Sequence, residues 1–215
     1  MYKIPLRKQI STLVINDLTF LRRFLTNPSQ IGSITPSSHY LVHDMLSMAN
    51  WQNVKNVAEL GAGTGVFTEK IVKKLRADAK LCVFELDGEL RNKIEKSLHL
   101  HVYNDARSLP EVVLPGSLDL VISSLPWTTL PQQMTIEILN GILFSLKPNG
   151  QFIAYQYSPQ MLGCFRKLFK SVKMSFVLAN IPPAFIYNCN FLQSEFYGKI
   201  PDCSRYLLSQ QKKGA

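Results

Sequence analysis

The segment that most constrains the fold is residues 57–65, where an apolar run leads directly into closely spaced glycines. Its sequence, Val-Ala-Glu-Leu-Gly-Ala-Gly-Thr-Gly, predicts a buried strand followed by a tight turn, because glycine adopts backbone conformations closed to other residues and presents no Cβ to a ligand. Apolar residues at 67, 71, 72 and 75 then recur at helical spacing. The unit is predicted to be a strand, a glycine turn and a helix whose first N–H groups can bind an anionic group.

The rest of the chain continues this alternation of strands and helices. Further strands are predicted at residues 80–87, 100–103, 118–123 and 151–155, with a turn at 147–150 and a closing antiparallel hairpin around 176–178 and 184–187. Such alternation indicates a mostly parallel sheet with helices on both faces and a ligand at the carboxyl ends of the strands. With 215 residues and 46% apolar composition, the chain suits one Rossmann-like α/β domain of seven strands.

The glycine spacing and the acids that follow the strands predict the ligand. The dinucleotide fingerprint is G-x-G-x-x-G, whereas this loop is G-x-G-x-G, and the preceding Glu59 suits a cationic amino-acid group better than a phosphate. Glu85 lies about 20 residues beyond the loop, where an acid binds ribose hydroxyls, and Asp105 can accept a hydrogen bond from an adenine amino group. Ribose, adenine and an ammonium without phosphate describe S-adenosylmethionine. The predicted cofactor-binding residues in these segments are Glu59, Gly61, Ala62, Gly63, Thr64, Gly65, Glu85, Leu86, Asp105, Ala106 and Ser123.

The cysteines predict a compartment rather than a chemistry. Cys82, Cys164, Cys189 and Cys203 have neither C-x-x-C nor metal-ligand spacing, and no secretory signal precedes them. We therefore expect reduced thiols, no bound metal and a cytoplasmic location. No apolar run is long enough to span a bilayer, so the protein is expected to be soluble or peripheral to a membrane.

Much of the formal charge of +9 lies in two basic segments. Residues 1–30 combine five cations and one acid with leucines, isoleucine and valine at helical spacing, which predicts a basic amphipathic helix preceding a catalytic domain at 31–215. Residues 165–173 interleave cations with Phe and Leu. Such segments bind anionic membrane surfaces, but nucleic acid attracts the same charges. A third interpretation is that the helix packs on the domain and its charges are only solvated.

The candidate acceptor motif follows the predicted fourth strand. It reads Ser123-Ser124-Leu125-Pro126-Trp127, and amino-directed methyltransferases have a short polar-x-Pro-aromatic loop at this position. The polar side chain and the loop carbonyls would accept hydrogen bonds from the target amine, and the aromatic ring would stabilise a cation by about 0.5–2 kcal/mol. Base amines are usually met by Asn or Asp, so Ser124 weakens the nucleobase interpretation. The alternative is a purely structural turn.

Together these motifs resemble bacterial phospholipid N-methyltransferases, which are class I S-adenosylmethionine-dependent enzymes related to the rRNA adenine dimethyltransferases. The resemblance spans residues 18 to 190 and includes Gln-Ile-Gly-Ser-Ile-Thr-Pro-Ser-Ser at 30–38 and Asn-Ile-Pro-Pro-Ala at 180–184. It implies methylation of phosphatidylethanolamine and its mono- and dimethyl derivatives at the membrane surface, with S-adenosylhomocysteine as product. It also makes the helix at 1–30 a docking element and lid, and we expect a peripheral, monomeric protein.

The resemblance also implies roles for residues near the predicted pocket. Thr35, Ser37 and Ser38 would roof the cofactor, and Tyr40 would take the proton of the amine, with His39 and Tyr157 as alternatives. The predicted catalytic set is Tyr40, Ser124, Leu125, Pro126 and Trp127. Two other functions stay open: an RNA adenine N6-methyltransferase, which should have Asn at position 124, and a non-catalytic protein that binds the cofactor and membranes.

Overall fold

The computed structural model describes residues 39–194. The predictions for the helix at 1–30 and for Thr35, Ser37 and Ser38 lie outside the described residues. The strands are β1 (Asn56–Leu60), β2 (Lys80–Phe84), β3 (Val102–Tyr103), β4 (Leu118–Ser123), β5 (Leu146–Gln156), β6 (Phe169–Val177) and β7 (Ala184–Leu192). The helices are α1 (His39–Ser47), α2 (Val66–Lys74), α3 (Gly88–Leu98), α4 (Leu109–Val112), α5 (Gln132–Ser145) and α6 (Leu162–Leu168), with short 3₁₀ turns at Ala106–Ser108 and Pro159–Met161.

The strands form one seven-stranded sheet in the order β3-β2-β1-β4-β5-β7-β6. Neighbouring strands from β3 to β5 are parallel, and β7 is antiparallel to both β5 and β6. The predicted mixed sheet with a closing hairpin is confirmed. Because β6 runs in the same direction as β5, six strands end at one side of the sheet, which we call the carboxyl edge.

The predicted strand limits differ from the observed ones mainly where tertiary pairing decides them. The fourth strand is as predicted, but β2 ends before Glu85 and β3 has only two residues, so the acids lie in loops at the carboxyl edge. The predicted turn at 147–150 is wrong, since it is an irregular part of β5. Leu118 pairs with Leu146 and Leu120 with Gln151, so β5 accommodates three more residues than β4 over that interval.

Helices cover both faces of the sheet and bury a core on each. On one face, α5 and α6 pack on the central strands around Phe152 and Phe165. On the other, α1 and α2 pack through Leu41, Met45 and Ile71. The two layers leave the carboxyl edge as the open rim of the sheet, the usual location of a ligand site in this architecture.

At the edge of the sheet opposite the carboxyl edge, Asp119 holds the first residues of the central strands together. Its Oδ2 accepts hydrogen bonds from the backbone N–H groups of Lys55 (3.0 Å) and Asn56 (2.9 Å), and its Oδ1 pairs with Lys147. Partial burial acts to raise the pKa of Asp119, but Lys147 and the two N–H groups outweigh it and lower the pKa. One carboxylate therefore fixes the relative positions of β1, β4 and β5.

We expect Asp119→Ala to lower the free energy of unfolding by about 2 kcal/mol, because two backbone donors and one ammonium lose their acceptor. Urea unfolding at neutral pH measures this change. The matched control is Asp78→Ala, which removes an exposed carboxylate paired with Arg76 and should leave the unfolding midpoint almost unchanged. Equal effects of the two substitutions would contradict the role assigned to Asp119.

Candidate cofactor and acceptor site

A cavity opens at the carboxyl edge. The cavity brings together the glycine loop, the residues after β2 and β3, the acceptor loop after β4, and one side of α5. Its lining residues are Gly61, Phe84, Glu85, Leu86, Asn104, Asp105, Ala106, Ser124, Leu125, Pro126, Met134 and Ile138.

The glycine loop has the backbone that its sequence predicts. Gly61 has φ +80° and Gly63 φ +56°, both in the left-handed region. A Cβ on Gly61 would lie 3.0 Å from the Leu125 side chain, whereas a Cβ on Gly63 would meet no described atom within 4 Å. The first glycine allows the two loops to approach each other, and the second faces open space that a ligand can fill.

Glu85 fixes this loop. Its buried carboxylate accepts hydrogen bonds from the N–H of Gly63 (2.6 Å) and from the N–H of Asp87 (2.9 Å). Burial is the main cause of the raised pKa of Glu85, although both N–H groups act to lower it. Glu85 thus has a structural role that the sequence did not indicate, and its contact with ribose stays a prediction.

Glu59 is fully buried in β1, and within residues 39–194 neither of its carboxyl oxygens has a hydrogen-bond partner. Burial raises the pKa of Glu59 to about 8, with a smaller contribution from the charge of Glu85. Thr68 of α2 lies near enough to reduce this shift, but its hydroxyl does not reach hydrogen-bonding geometry with the carboxyl. A buried carboxyl with free acceptor positions fits the ammonium of an amino-acid ligand.

Asp105 lies on the cavity wall, where Arg107 holds it. Arg107 donates from Nε and Nη2 to Asp105 Oδ2 at 2.9 and 2.6 Å, and its Nη1 lies 3.5 Å from Glu137 of α5. Arg107 and Glu137 were missed from the sequence, although the Asp-x-Arg spacing was visible. Asn104 was also missed, and its amide lines the same wall. The predicted adenine contact of Asp105 stays a prediction.

The acceptor loop is held mostly by its own backbone. Ser124 N–H donates to Leu60 O (2.9 Å), Gln156 Nε2 donates to Leu125 O (2.7 Å), and the N–H groups of Thr129 and Leu130 donate to Pro126 O. The carbonyls of Leu125 and Pro126 therefore already accept hydrogen bonds within the protein, and their contact with the target amine stays a prediction. Ser124 lines the cavity, and among the described residues its buried Oγ has no hydrogen-bond partner.

The structure corrects the placement of Trp127 and Ser123. Trp127 is only 2% exposed, and its ring packs edge-on against Phe152 and Phe165. Its Nε1 donates to Ser123 Oγ (3.1 Å), which also accepts from the N–H of Leu125. Both side chains support the acceptor loop from beneath, since the apolar indole is more stable in the core than at a wet rim. Trp127 thus presents no face to a substrate cation.

The three candidate proton acceptors lie away from the cavity lining in the part of the chain that the structure describes. Tyr40 is 66% exposed on the first turn of α1, and His39 borders a groove between α1 and α2 with Lys70 and Lys74. Tyr157 follows β5, and burial raises its pKa, which favours the neutral phenol. The role of Tyr40 as proton acceptor stays a prediction.

Residues 39–194 contain neither a metal-binding cluster nor a membrane-spanning helix. No cluster of His, Cys, Asp or Glu in this range is placed to hold a metal ion. Nor does any helix in the same range have the length and apolarity needed to cross a membrane.

Comparison with known proteins places the chain among methyltransferases. No protein-family model matches it. It is 29% identical over 186 residues to an ornithine lipid N-methyltransferase of Singulisphaera acidiphila, covering 82% of this chain and 97% of the relative. Among solved structures it resembles the N-methyltransferase NodS of Bradyrhizobium japonicum in complex with S-adenosylhomocysteine (TM-score 0.61, 13% identity, 83% and 100% of the two chains). It also resembles TrmN of Thermus thermophilus (TM-score 0.58, 17% identity, 79% and 53%).

These likenesses confirm the predicted fold, a Rossmann-like methyltransferase domain. With the named relative they confirm the predicted enzyme class, a S-adenosylmethionine-dependent methyltransferase, and they agree with the predicted cofactor. The relative is itself named for N-methylation of a lipid. The residues present fit the cofactor, because the glycine loop faces open space at Gly63 and the buried carboxyl of Glu59, two residues before the loop, has no hydrogen-bond partner among the described residues.

The raised pKa of Glu59 predicts how the free energy of unfolding of the ligand-free protein depends on pH. The folded protein keeps the Glu59 proton up to about pH 8, whereas the unfolded chain releases it near the ordinary value of 4.5. Between these values the folded state binds more protons, so the free energy of unfolding falls as pH rises. Glu59→Gln removes this dependence, and its stability relative to wild type should increase by on the order of 3 kcal/mol from pH 5 to pH 8.

Urea unfolding of both proteins at the two pH values measures the difference. Glu69→Gln is the matched control, since Lys73 lowers the pKa of this exposed carboxylate and keeps it ionised throughout the window. If the gap between Glu59→Gln and wild type is independent of pH, Glu59 is ionised in the free protein and its assigned protonation is wrong.

Proposed function

We propose that this protein transfers methyl groups from S-adenosylmethionine to the amine of a membrane lipid. The observation that supports it most is the acceptor loop, where Ser124 lines the cavity and its buried hydroxyl has no partner among the described residues. Phosphatidylethanolamine is the acceptor implied by the family resemblance, and ornithine lipid is the one named for the relative. Both are lipids with a primary amine, and that shared chemistry defines the proposed substrate.

Each group of residues would hold one part of the cofactor. Glu59 would accept hydrogen bonds from the ammonium, the glycine loop would hold the rest of the methionine part, and Asn104 and Asp105 would face adenine. When bound, the cofactor supplies an electrophilic methyl group on a sulfonium. Binding of the ammonium favours the ionised form of Glu59, so cofactor binding at neutral pH should release a proton.

Ser124 would orient the acceptor. Its Oγ can accept a hydrogen bond from an N–H of the amine, which leaves the nitrogen lone pair directed toward the methyl group. Leu125, Pro126, Met134 and Ile138 make this part of the cavity apolar. An apolar wall disfavours an ammonium and favours the neutral amine. The two carboxyl groups of the lining already have partners, since Glu85 accepts from backbone N–H groups and Asp105 is paired with Arg107, and we therefore propose that the amine loses its proton to solvent before it binds. Positioning and exclusion of water would then supply most of the acceleration.

The proposed substrate requires contact with a membrane surface. The basic amphipathic segment at 1–30 is the sequence feature that supports docking on anionic lipids, with about 1 kcal/mol from each Lys or Arg near the surface. We therefore propose a cytoplasmic protein that binds membranes peripherally and acts as a monomer. Nucleic acid is the less favoured partner, because Ser124 occupies the position at which adenine methyltransferases have Asn or Asp.

An acceptor assay separates the possible functions. Purified protein with radiolabelled S-adenosylmethionine is offered anionic vesicles that contain ornithine lipid or phosphatidylethanolamine, and ribosomal RNA in a parallel reaction. We expect label in the lipid fraction. Label in RNA alone would overturn the lipid proposal, and label in neither would identify a non-catalytic cofactor-binding protein.

A matched pair of serine variants connects this activity to the site. Ser124→Ala should lower kcat about tenfold or more, because the amine loses its orienting acceptor, while cofactor affinity stays within about twofold. Ser117→Ala is the control, since its hydroxyl donates to Leu114 O before β4, at the opposite edge of the sheet. A Ser124→Ala enzyme with wild-type kcat would exclude the assigned role of the hydroxyl.

A further inference from the structure

The turn between β6 and β7, residues 178–183, exposes large apolar side chains. Leu178 and Ile181 are each 74% exposed, and Phe176, at the end of β6, is half exposed beside Phe185, with 4.7 Å between the two ring centroids. Single exposed leucines are common on protein surfaces, but several large apolar residues in one short turn indicate an interaction surface. We call Phe176, Leu178 and Ile181 the apolar turn.

A buried side chain holds the conformation of the turn. Asn180 is almost completely buried, and its Nδ2 donates to the carbonyl of Pro182 at 2.7 Å. Val177 and Ala184, which pair across the base of the turn, are also buried. The polar side chain therefore lies inside the turn and the apolar ones outside, which is the reverse of the arrangement expected for a turn that faces only water.

The apolar turn lies on the carboxyl edge, beside the proposed acceptor site. Phe176 pairs with Phe185, and Phe185 pairs with Gln156, whose amide donates to the carbonyl of Leu125 in the acceptor loop. Two strand spacings, about 10 Å, separate the ends of β5 and β6. A surface that received the turn would therefore also face the cavity mouth.

The charge of this region indicates what kind of partner surface the apolar turn would contact. Residues 138–194 contain no Asp or Glu, and the exposed Lys173 lies on β6 four residues before the strand ends. Exposed apolar side chains with a cation nearby and no carboxylate in their own segment are complementary to an anionic lipid bilayer, which offers both hydrocarbon and negative headgroups.

We propose that the apolar turn inserts Leu178 and Ile181 into an anionic bilayer and holds the cavity mouth against the headgroups. The use of this contact to deliver a lipid amine rests on the proposed function, whereas insertion itself does not. The turn and the segment at 1–30 would then be two separate points of attachment.

The test is the binding of the full chain to vesicles of phosphatidylglycerol and phosphatidylcholine, neither of which has a primary amine, so that binding is independent of catalysis. We expect the double variant Leu178→Ser and Ile181→Ser to lower the partition coefficient about tenfold or more in co-sedimentation. Leu114→Ser is the matched control, because Leu114 is 76% exposed but precedes β4 at the opposite edge. Its partition coefficient should stay within about twofold of wild type.

A second measurement reports insertion directly. We expect the fluorescence of a Leu178→Trp variant to shift to the blue when these vesicles are added, and that of Leu114→Trp to stay unchanged. Wild-type partitioning by the double variant, or an unshifted Leu178→Trp spectrum, would overturn the proposal. So would light scattering that shows a wild-type dimer lost in the double variant, since the turn would then be an interface between copies. If no lipid is methylated, these binding results still decide insertion.

Discussion

The contact on which the site depends is the pair of hydrogen bonds that Glu85 accepts from Gly63 and Asp87. One buried carboxylate at the end of β2 fixes the glycine loop after β1 and the backbone that leads into α3. Because Gly61 also approaches Leu125 closely, the position of the glycine loop sets that of the acceptor loop. The cavity is thus largely formed by the protein itself before any ligand binds.

Glu59 differs from Glu85 in its hydrogen bonding, although both carboxyls are buried at the same edge. Glu85 accepts backbone hydrogen bonds, whereas the oxygens of Glu59 have no partner within residues 39–194. A buried carboxyl in this state costs free energy that a bound ammonium can recover. Ser124 repeats the pattern on the acceptor side, as a buried hydroxyl without a described partner. The two groups indicate where a cation and an amine are expected.

Local sequence patterns predicted the parts of the structure that depend on local backbone and periodicity. The glycine loop, the limits of β4, the sheet class and the closing hairpin follow from such patterns, as does the gathering of Glu85 and Asp105 at one edge. Long-range contacts decided the rest. Trp127 lies in the core because Phe152 and Phe165 surround it, and the turn at 147–150 is part of β5 because β4 pairs on both sides of it. Neither partner is visible in the local sequence.

We propose that the carboxyl edge binds the cofactor between Glu59 and the acceptor loop. A crystal structure of the protein with S-adenosylhomocysteine tests this placement most directly. We expect the ligand to lie along Gly61 to Gly65, its ammonium to donate hydrogen bonds to Glu59, and its sulfur to face Ser124 Oγ. A ligand bound elsewhere, or one whose sulfur faces away from Ser124, would contradict it.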